Sequence, residues 1–154
     1  MNKFMQIAVQ EALKGMNAND GGPFGAVITK NGKIIAQAHN MVVKTNDPTA
    51  HAEMTAIRIA TKKLKRFDLS DCKIYSSCEP CPMCFAAIHW AKMSKLYFAC
   101  TRKDAANIGF DDKFIYDVIL GKTKRKQVSI KKIDRANSMK PFQEWQKKQN
   151  KTRY

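Results

Sequence analysis

The sequence predicts a three-layer α/β/α domain around a central mixed sheet of five strands. Two apolar runs flank Asn31-Gly32, and Asn-Gly between apolar runs is a strong signal for a tight antiparallel hairpin. Beyond the hairpin, short strand-like runs alternate with longer stretches whose apolar residues recur at helical spacing. A hairpin followed by strand–helix units gives a sheet with both antiparallel and parallel pairs, covered by helices on its faces.

Each element follows from its own local pattern. The stretch MNKFMQIAVQEALKG at residues 1–15 has apolar residues at helical spacing, and Gly21-Gly22-Pro23 breaks the chain after this first helix. The segment CPMCFAAIHWAKM at 81–93 reads as a helix opened by proline, and Pro141 suits the first turn of a final helix. The predicted strands are GAVIT (25–29), KIIAQAH (33–39), KIYSSC (73–78), KLYFAC (95–100) and QVSIKKI (127–133), and the further helices are AHAEMTAIRIATKKL (50–64), a stretch near 112–120 and PFQEWQKKQ (141–149).

Length and composition indicate an ordinary globular protein. A chain of 154 residues is long enough for one domain with a buried core, and its hydrophobic content is 44%. The first residues lack the apolar run of about 7–15 residues that marks a signal peptide, and no stretch approaches the about 18 apolar residues of a membrane span. The five cysteines are an odd number without an export signal. We therefore expect reduced thiols in a cytoplasmic protein with no membrane association.

Positive charge is concentrated near the C-terminus. The chain has a net charge of +15, and residues 121–154 contain 12 of the 28 Lys and Arg but only Asp134 and Glu144 as acidic residues. Such a surface is typical of nucleic-acid binding, or of a solvated lysine-rich tail. Aromatic residues are sparse among these charges, so no stacking surface for single-stranded nucleic acid is indicated. Nucleic acid is a possible partner, but the charge alone does not favour it.

Three evenly spaced cysteines, Cys78, Cys81 and Cys84, lie in the stretch SSCEPCPMCFAAIHW. A bacterial ferredoxin run needs a fourth cysteine at position 88, which is Ile88. A redox pair at Cys81 and Cys84 fits the start of a helix, but it leaves the motif HAE earlier in the chain unexplained. A structural zinc site needs four protein ligands, with Cys78 or His89 completing the set.

A fourth interpretation joins two distant fragments. His51-Ala52-Glu53 opens one predicted helix and Cys81 and Cys84 open another, which together give H-x-E…P-C-x-x-C, the zinc-deaminase signature. Residues three apart share a helix face, so both thiols can bind one ion. Residues two apart point to different sides, so His51 is expected to be the third ligand and Glu53 to face the reacting water. Three protein ligands leave an open position, as in catalytic zinc sites.

The chemistry expected of this site is hydrolytic deamination. We expect one zinc ion per subunit, with water or hydroxide as the fourth ligand, because zinc lowers the pKa of such water toward about 7. Glu53 would accept the water proton and pass it to a ring nitrogen, while hydroxide attacks the amino-bearing carbon and ammonia leaves. In this interpretation Cys78 is a core thiol at the end of a strand, and His89 makes only local helix contacts.

Four motifs resemble bacterial guanine deaminases of the cytidine-deaminase superfamily. They are GGPFGAVI (21–28), NDPTAHAE (46–53), SSCEPCPMC (76–84) and GFDDKFIYDVI (109–119), and the likeness extends over nearly the whole chain. The motifs NDPTAHAE and EPCPMC are shared with tRNA adenosine deaminases, so they indicate the chemistry but not the substrate. GFDD and the aromatic-ended tail discriminate better. The resemblance implies a cytidine-deaminase-like fold and the conversion of guanine, a small-molecule purine, to xanthine and ammonia.

The resemblance also implies roles for individual residues. Asn40 would hydrogen-bond the purine, and Asp112 would bind the guanine amino edge and assist proton transfer. Phe24 and Trp90 would pack on the purine faces, and Tyr154 would close the pocket. Each has a structural alternative: the two aromatic residues suit a core, Asp112 suits a helix N-cap, and Asn40 suits a turn.

The resemblance implies an assembly as well. Residues 1–154 would form a single zinc-dependent deaminase domain, and the C-terminal segment from about residue 137 to 154 would be exchanged between the subunits of a homodimer.

Two other functions remain open from the sequence. A tRNA adenosine-to-inosine deaminase would use the same zinc and Glu53, and the positive charge favours it because phosphate neutralisation strengthens RNA binding. Another aminated heterocycle could also be the substrate. A zinc-stabilised nucleic-acid-binding module without catalysis would make Glu53 dispensable.

Overall fold

The computed structural model describes residues 2–123 and 128–153. The chain divides into two compact units, one up to Tyr116 and one from Asp117 onward. The described helices and strands are, in chain order, α1 (Lys3–Asn17), β1 (Gly25–Lys30), β2 (Lys33–His39), α2 (Val42–Thr45), α3 (Ala52–Leu64), β3 (Cys72–Cys78), α4 (Pro82–Trp90), β4 (Lys95–Cys100), α5 (Arg102–Asn107), α6 (Lys113–Ile119), α7 (Arg135–Ser138) and α8 (Lys140–Lys147).

The sheet of the first unit is mixed, with strand order β2-β1-β3-β4. β1 pairs antiparallel with β2 and with β3, while β3 and β4 are parallel. The predicted hairpin is confirmed: Asn31 and Gly32 both have positive φ, 48° and 73°, as the tight turns that match strand twist require. The parallel pair needs a crossover, which α4 supplies.

The prediction of five strands is wrong, because the described residues form a sheet of four. The missing strand is QVSIKKI: residues 128–133 form no strand, and Gln127 lies outside the described residues. Val128, Ile130 and Ile133 are each at least 70% exposed. Two consecutive lysines interrupt the apolar alternation, so within this chain the segment has no continuous apolar face to bury against a sheet.

Helices cover the sheet of the first unit on both faces, as the three-layer prediction requires. Val27 packs with Ala8 of α1, in a cluster that includes Tyr75. Its neighbours in β1, Ala26 and Ile28, point to the opposite face and pack in a second cluster with the alanines of α3. Successive side chains of a strand alternate between faces, so one short buried strand serves both cores.

The ends of β1 and β3 determine where chemistry-bearing residues meet. The antiparallel register pairs Ala26 with Ser76, so the start of β1 lies beside the end of β3. Gly25 N donates to Ser77 Oγ over 2.9 Å and joins the same two ends. The loop before β1, the start of α3 and the start of α4 therefore converge at one edge of the sheet.

The second unit contains two further described helices, α7 and α8. The predicted final helix is confirmed as α8, with Pro141 in its first turn. Within residues 2–123 and 128–153, no helix combines the length and the apolar character needed to cross a bilayer.

Candidate active site

His51, Cys81 and Cys84 come together as the sequence predicts. The ligand atoms of the three residues lie within 4.8 Å of one another. His51 Nδ1 is 3.5 Å from Cys81 Sγ and 3.6 Å from Cys84 Sγ. Tetrahedral zinc, with Zn–S of about 2.3 Å and Zn–N of about 2.0 Å, separates nitrogen and sulfur ligands by about 3.5 Å. The donor set and its spacing therefore fit a zinc ion.

A tight turn before α3 presents His51. Asp47 Oδ1 accepts from Thr49 N over 2.8 Å and from Thr49 Oγ1 over 2.7 Å, and Ala50 N donates to Asp47 O. This is the Asx turn expected of Asp-Pro-Thr. His51 then takes the N-cap position of α3 with extended backbone, so its side chain precedes the helix rather than joining its face.

The other two ligands come from the first turn of α4. Cys81 is the N-cap, and Pro82 occupies the first turn, where its missing N–H costs nothing. Phe85 N donates to Cys81 O over 2.8 Å and closes that turn. Cys84, one turn along, is fully buried. The start of a helix carries partial positive charge, which stabilises thiolates there.

The thiol of Cys81 is prepared to act as a ligand. Its hydrogen bond with Cys84 is the largest influence, and together with His51 it lowers the pKa of Cys81 to about 4. The hydrogen bond between His51 and Cys81 in turn raises the pKa of His51. A metal ligand must be deprotonated, so the protons that these groups share are the ones that metal binding displaces.

Glu53 lies beside this cluster but points to a different side of α3. Its side chain is 6% exposed, and Ser76 Oγ donates to Glu53 Oε1 over 2.9 Å. Burial raises the pKa of Glu53, and the Ser76 hydrogen bond opposes that rise. A buried carboxylate with a raised pKa can both accept and donate a proton near neutral pH, as a general acid–base requires.

A cavity of about 740 Å³ opens onto Glu53 and the metal cluster. This volume suits a small aromatic ligand. Phe24 lines one wall, with its ring 5.0 Å from that of Phe110 in an edge-to-face arrangement. Asn40 is buried in the wall, and its Oδ1 accepts from Val42 N over 3.1 Å.

Asp112 also lines the cavity, together with Asp111. Asp112 directly precedes α6, and its carbonyl oxygen accepts from Ile115 N over 3.0 Å. Burial raises the pKa of the Asp112 carboxyl, although the charge of Arg102 opposes the rise. Asp111, not Asp112, uses its side chain on the backbone: Asp111 Oδ1 accepts from Lys113 N. The carboxylate of Asp112 is therefore not the one that caps this turn.

The model of the cytidine and deoxycytidylate deaminase zinc-binding region matches residues 1–100. The chain belongs to this deaminase family.

Two relatives show how far the likeness extends. Guanine deaminase from Bacillus subtilis (strain 168) is 48% identical over 151 residues, which cover 98% of this chain and 97% of the relative. The X-ray structure of guanine deaminase from Bacillus subtilis superposes with a TM-score of 0.94 at 47% identity, over 100% of this chain and 99% of that one. The fold-class prediction is thereby confirmed. A tRNA-specific adenosine deaminase from Aquifex aeolicus (strain VF5) is 40% identical over 100 residues, but this match covers only 65% of this chain and 66% of the relative.

One of the residues predicted to contact the substrate, Trp90, does not line the cavity of this family member. Trp90 is the last residue of α4, and its side chain is 65% exposed rather than lining the cavity. Trp90 lies six residues after Cys84, a rise of about 9 Å along the helix, which separates it from the turn where the cysteines lie. Tyr154 lies outside the described residues.

The residues set aside in the metal prediction have the expected surroundings. Cys78 ends β3, is 7% exposed, and donates its thiol hydrogen to Thr101 O over 3.5 Å. His89 Nδ1 lies 3.0 Å from Phe85 O within its own helix.

Sequence reasoning missed residues that complete the deaminase site. Ser76 is predicted only as part of a buried strand, yet its hydroxyl donates to the Glu53 carboxylate. Phe110 and Arg102 line the cavity. A usable signal was the pair of hydroxyls, Ser76 and Ser77, near the end of a strand predicted to be buried, since buried hydroxyls need a partner.

Proposed function

We propose that the protein deaminates guanine hydrolytically, producing xanthine and ammonia. The observation that supports this most directly is the cavity, in which Glu53 and the His51, Cys81 and Cys84 cluster face Asn40 and Asp112. The family membership supports the chemistry. The similarity to guanine deaminase over nearly the full chain supports the substrate.

His51, Cys81 and Cys84 would hold one zinc ion per subunit and leave one position for water or hydroxide. When bound, zinc supplies Lewis acidity that makes water a nucleophile at neutral pH. The buried carboxylate of Glu53 moves the protons: it takes one from water and gives it to a ring nitrogen of the purine. It then takes the remaining proton from the hydroxyl group that has added to the purine and delivers it to the amine, which leaves as ammonia. Ser76 holds one carboxylate oxygen so that the other can face the substrate.

Asn40, Asp112 and Phe24 would bind and orient guanine. Asn40 Oδ1 already accepts from the backbone, so its amide N–H groups are the donors offered to an acceptor such as the guanine carbonyl. Asp112 can accept hydrogen bonds from the amino and ring N–H groups at the edge that reacts. Phe24, braced by Phe110, provides an apolar surface for one purine face. Trp90 and Tyr154 would reach the substrate only through the assembly proposed below.

The test is an ammonia-release assay on zinc-loaded protein with guanine, adenine, cytosine, cytidine and tRNA side by side. We expect turnover of guanine with formation of xanthine, and little or none with the other substrates. Formation of inosine in tRNA without guanine turnover would overturn the proposed substrate and favour RNA editing, which the net charge of +15 would assist.

We propose further that residues 1–154 act as one deaminase domain in a homodimer, with the segment from about 137 to 154 exchanged between subunits. Large exposed apolar side chains support an assembly, since exposed apolar surface commonly marks an interaction site. They include Ile119, Leu120, Val128, Ile130, Ile133, Phe142 and Trp145 in the second unit. β4 ends the described sheet, and its Tyr97 and Phe98 are also exposed.

A cytoplasmic location is part of the same proposal. All five cysteines are free, and the three-residue metal cluster needs its thiols reduced. A reducing compartment keeps them available.

A further inference from the structure

Arg102, which lines the cavity, makes a two-point contact with Glu79. Arg102 N donates to Glu79 Oε2 and Arg102 Nε donates to Glu79 Oε1, each over 3.1 Å. Both carboxylate oxygens are thus held by one residue, one through its backbone N–H and the other through its guanidinium, whose charge strengthens that hydrogen bond. Glu79 lies two residues before Cys81, in the short loop that joins β3 to α4.

The same guanidinium packs on a second element. Arg102 Cζ lies 4.2 Å above the ring centre of Tyr116, which is a close cation–π contact. Tyr116 Oη donates to Pro80 O over 3.1 Å, and Pro80 directly precedes Cys81. Tyr116 lies in α6, one turn after Asp112, and its backbone N–H donates to Asp112 O.

These contacts form a closed circuit. The loop Glu79-Pro80 leads into the metal ligand Cys81, and the start of α6 carries Asp112. Arg102 touches Glu79 on one side and Tyr116 on the other, while Tyr116 itself returns to Pro80. The loop has a backbone hydrogen bond to β4, from Glu79 N to Cys100 O over 2.8 Å. The contacts that join the loop to α6 are instead those of the Arg102 and Tyr116 side chains.

We propose that Arg102 is a positioning residue that fixes Asp112 relative to the metal-binding loop, and so determines how tightly the cavity holds a purine. The proposal rests on the function proposed above. Arg102 acts through Glu79 and Tyr116 and touches neither the metal ligands nor, in this role, the substrate.

The charge of Arg102 works in the same direction as its geometry. Burial raises the pKa of the Asp112 carboxyl, and the positive charge of Arg102 opposes that rise. An ionised Asp112 is an acceptor of hydrogen bonds only, as binding of guanine N–H groups requires.

The test compares Arg102→Met, Arg102→Lys and Tyr116→Phe with the wild type, and Lys103→Met as a control on an exposed neighbour in the same helix. Guanine binding is measured by calorimetry in the non-reacting Glu53→Gln background, and KM and kcat in the active proteins. We expect Arg102→Met to weaken guanine binding and raise KM about 30-fold, with zinc content unchanged. Tyr116→Phe should weaken guanine binding about 5-fold, and Lys103→Met should leave guanine binding unchanged.

The lysine variant separates position from charge. Lysine keeps the charge and the backbone N–H bond to Glu79 Oε2, but it lacks the planar guanidinium that donates to Glu79 Oε1 while stacking on Tyr116, so Arg102→Lys should remain at least about 5-fold impaired. A lysine variant equal to the wild type would overturn the positioning role. If Arg102→Met lost zinc to the same extent as guanine affinity, the positioning role would also be overturned. Arg102 would then support the metal-binding loop rather than the position of Asp112.

A double-mutant cycle and a measurement without substrate complete the test. If Arg102 acts through Asp112, adding Arg102→Met to Asp112→Asn should weaken guanine binding by less than about 2-fold further, and full additivity would contradict the proposal. Arg102→Met should also speed amide hydrogen exchange at residues 115 and 116 about 10-fold. Unchanged exchange at these two amides would overturn the proposal, whatever the result of the guanine-binding measurement. Faster exchange in a protein that does not turn over guanine would refute only the proposed substrate.

Discussion

Glu53 shows how its surroundings suit a single side chain to the catalytic role proposed for it. Its carboxylate is buried at the start of α3, receives one hydrogen bond from Ser76, and faces the cavity beside the metal cluster. Burial raises its pKa, so the carboxylate is a stronger base than that of an exposed glutamate. His51, two residues earlier, lies instead against the thiols of Cys81 and Cys84, as the proposed metal ligand.

Replacing Glu53 with Gln should remove turnover while leaving the metal in place. Glutamine has the same shape but cannot carry protons, so kcat should fall about 10³-fold with zinc content unchanged. Ammonia release and metal analysis on the same sample would measure both. The exposed Glu144→Gln change is the matched control. Near-normal turnover in a zinc-loaded Glu53→Gln sample would exclude the proposed role.

At the scale of elements, the close approach of α1 to β1 sets one stability requirement. A Cβ at Gly25 would overlap the carbonyl oxygen of Ala8 and lie 2.6 Å from Ala12 N, both in the backbone of α1. Only glycine allows helix and strand to approach this closely. The contact matters for the site because Gly25 begins β1 directly after Phe24.

The Gly25→Ala change should destabilise the protein by about 3 kcal/mol, because backbone atoms cannot move aside as a side chain can. A Gly32→Ala change is the informative comparison. Its added Cβ meets nothing within 4 Å, but the residue has a positive φ of 73°. We therefore expect Gly32→Ala to lower the free energy of unfolding by only about 1 kcal/mol. Denaturant unfolding of both variants measures the difference. A cost at Gly25 no greater than at Gly32 would contradict the packing argument.

A buried ion network joins α1, β2 and the loop before β1. His39 lies with Nδ1 3.0 Å from Glu11 Oε2 and Nε2 2.9 Å from Asp20 Oδ2. Lys44 Nζ also donates to Asp20 Oδ2, over 3.1 Å. The hydrogen bonds from His39 and Lys44 lower the pKa of Asp20. Asp20 O further accepts from Val43 N and Lys44 N, so the network supports the loop that carries Gly21 and Gly22 in the cavity wall.

The pH dependence of stability follows from the direction of this shift. The pKa of Asp20 is lower in the folded than in the unfolded chain, so its contribution is present above the ordinary value of 3.8 and is lost as pH falls through the folded value. Asp20→Asn should lower stability at pH 6 and reduce the further loss between pH 5 and pH 3. Unfolding midpoints across that range test it, with Asp134→Asn as the exposed control. An unchanged acid slope in Asp20→Asn would show that other carboxylates account for acid sensitivity.

At the scale of the whole molecule, two surface properties indicate binding partners: exposed apolar side chains and a high positive charge. Exposed aliphatic and aromatic side chains of the second unit support association of two copies, and the net charge of +15 leaves nucleic acid as an alternative partner for the same region. Subunit exchange is the proposal that a mixing experiment can test directly.

Deleting residues 151–154 should impair guanine turnover, because Tyr154 is proposed to close the pocket of the other subunit. Mixing this truncated chain with intact-tail Glu53→Gln chains should restore about a quarter of wild-type activity, since half of random dimers contain one complete site. Activity of verified mixed dimers is the measurement. The baseline is the summed activity of the truncated and Glu53→Gln proteins assayed separately, where no mixed dimer can form. Mixed dimers no more active than this baseline would argue against exchange.

Much of the fold could be read from local pattern. The Asn31-Gly32 turn, the four strands up to Cys100 and the longer helices depend on residues close in sequence, where turn chemistry and periodicity act directly. The strand predicted at 127–133 failed because apolar alternation shows only that a segment could pair. Whether a sheet edge receives it is a long-range matter.

The sequence by itself determined the metal ligands and the proton carrier as hypotheses, because spacing within a helix turn decides which side chains can share one ion. Only the tertiary structure decided what surrounds them. The antiparallel register of β1 with β3 brings Ser76 toward Glu53 and the loop before β1 to the cavity, and the length of α4 takes Trp90 away from it. Local spacing is set by covalent geometry and is legible in the sequence. Contacts between residues far apart in the chain depend on packing of the whole unit, which no single motif contains.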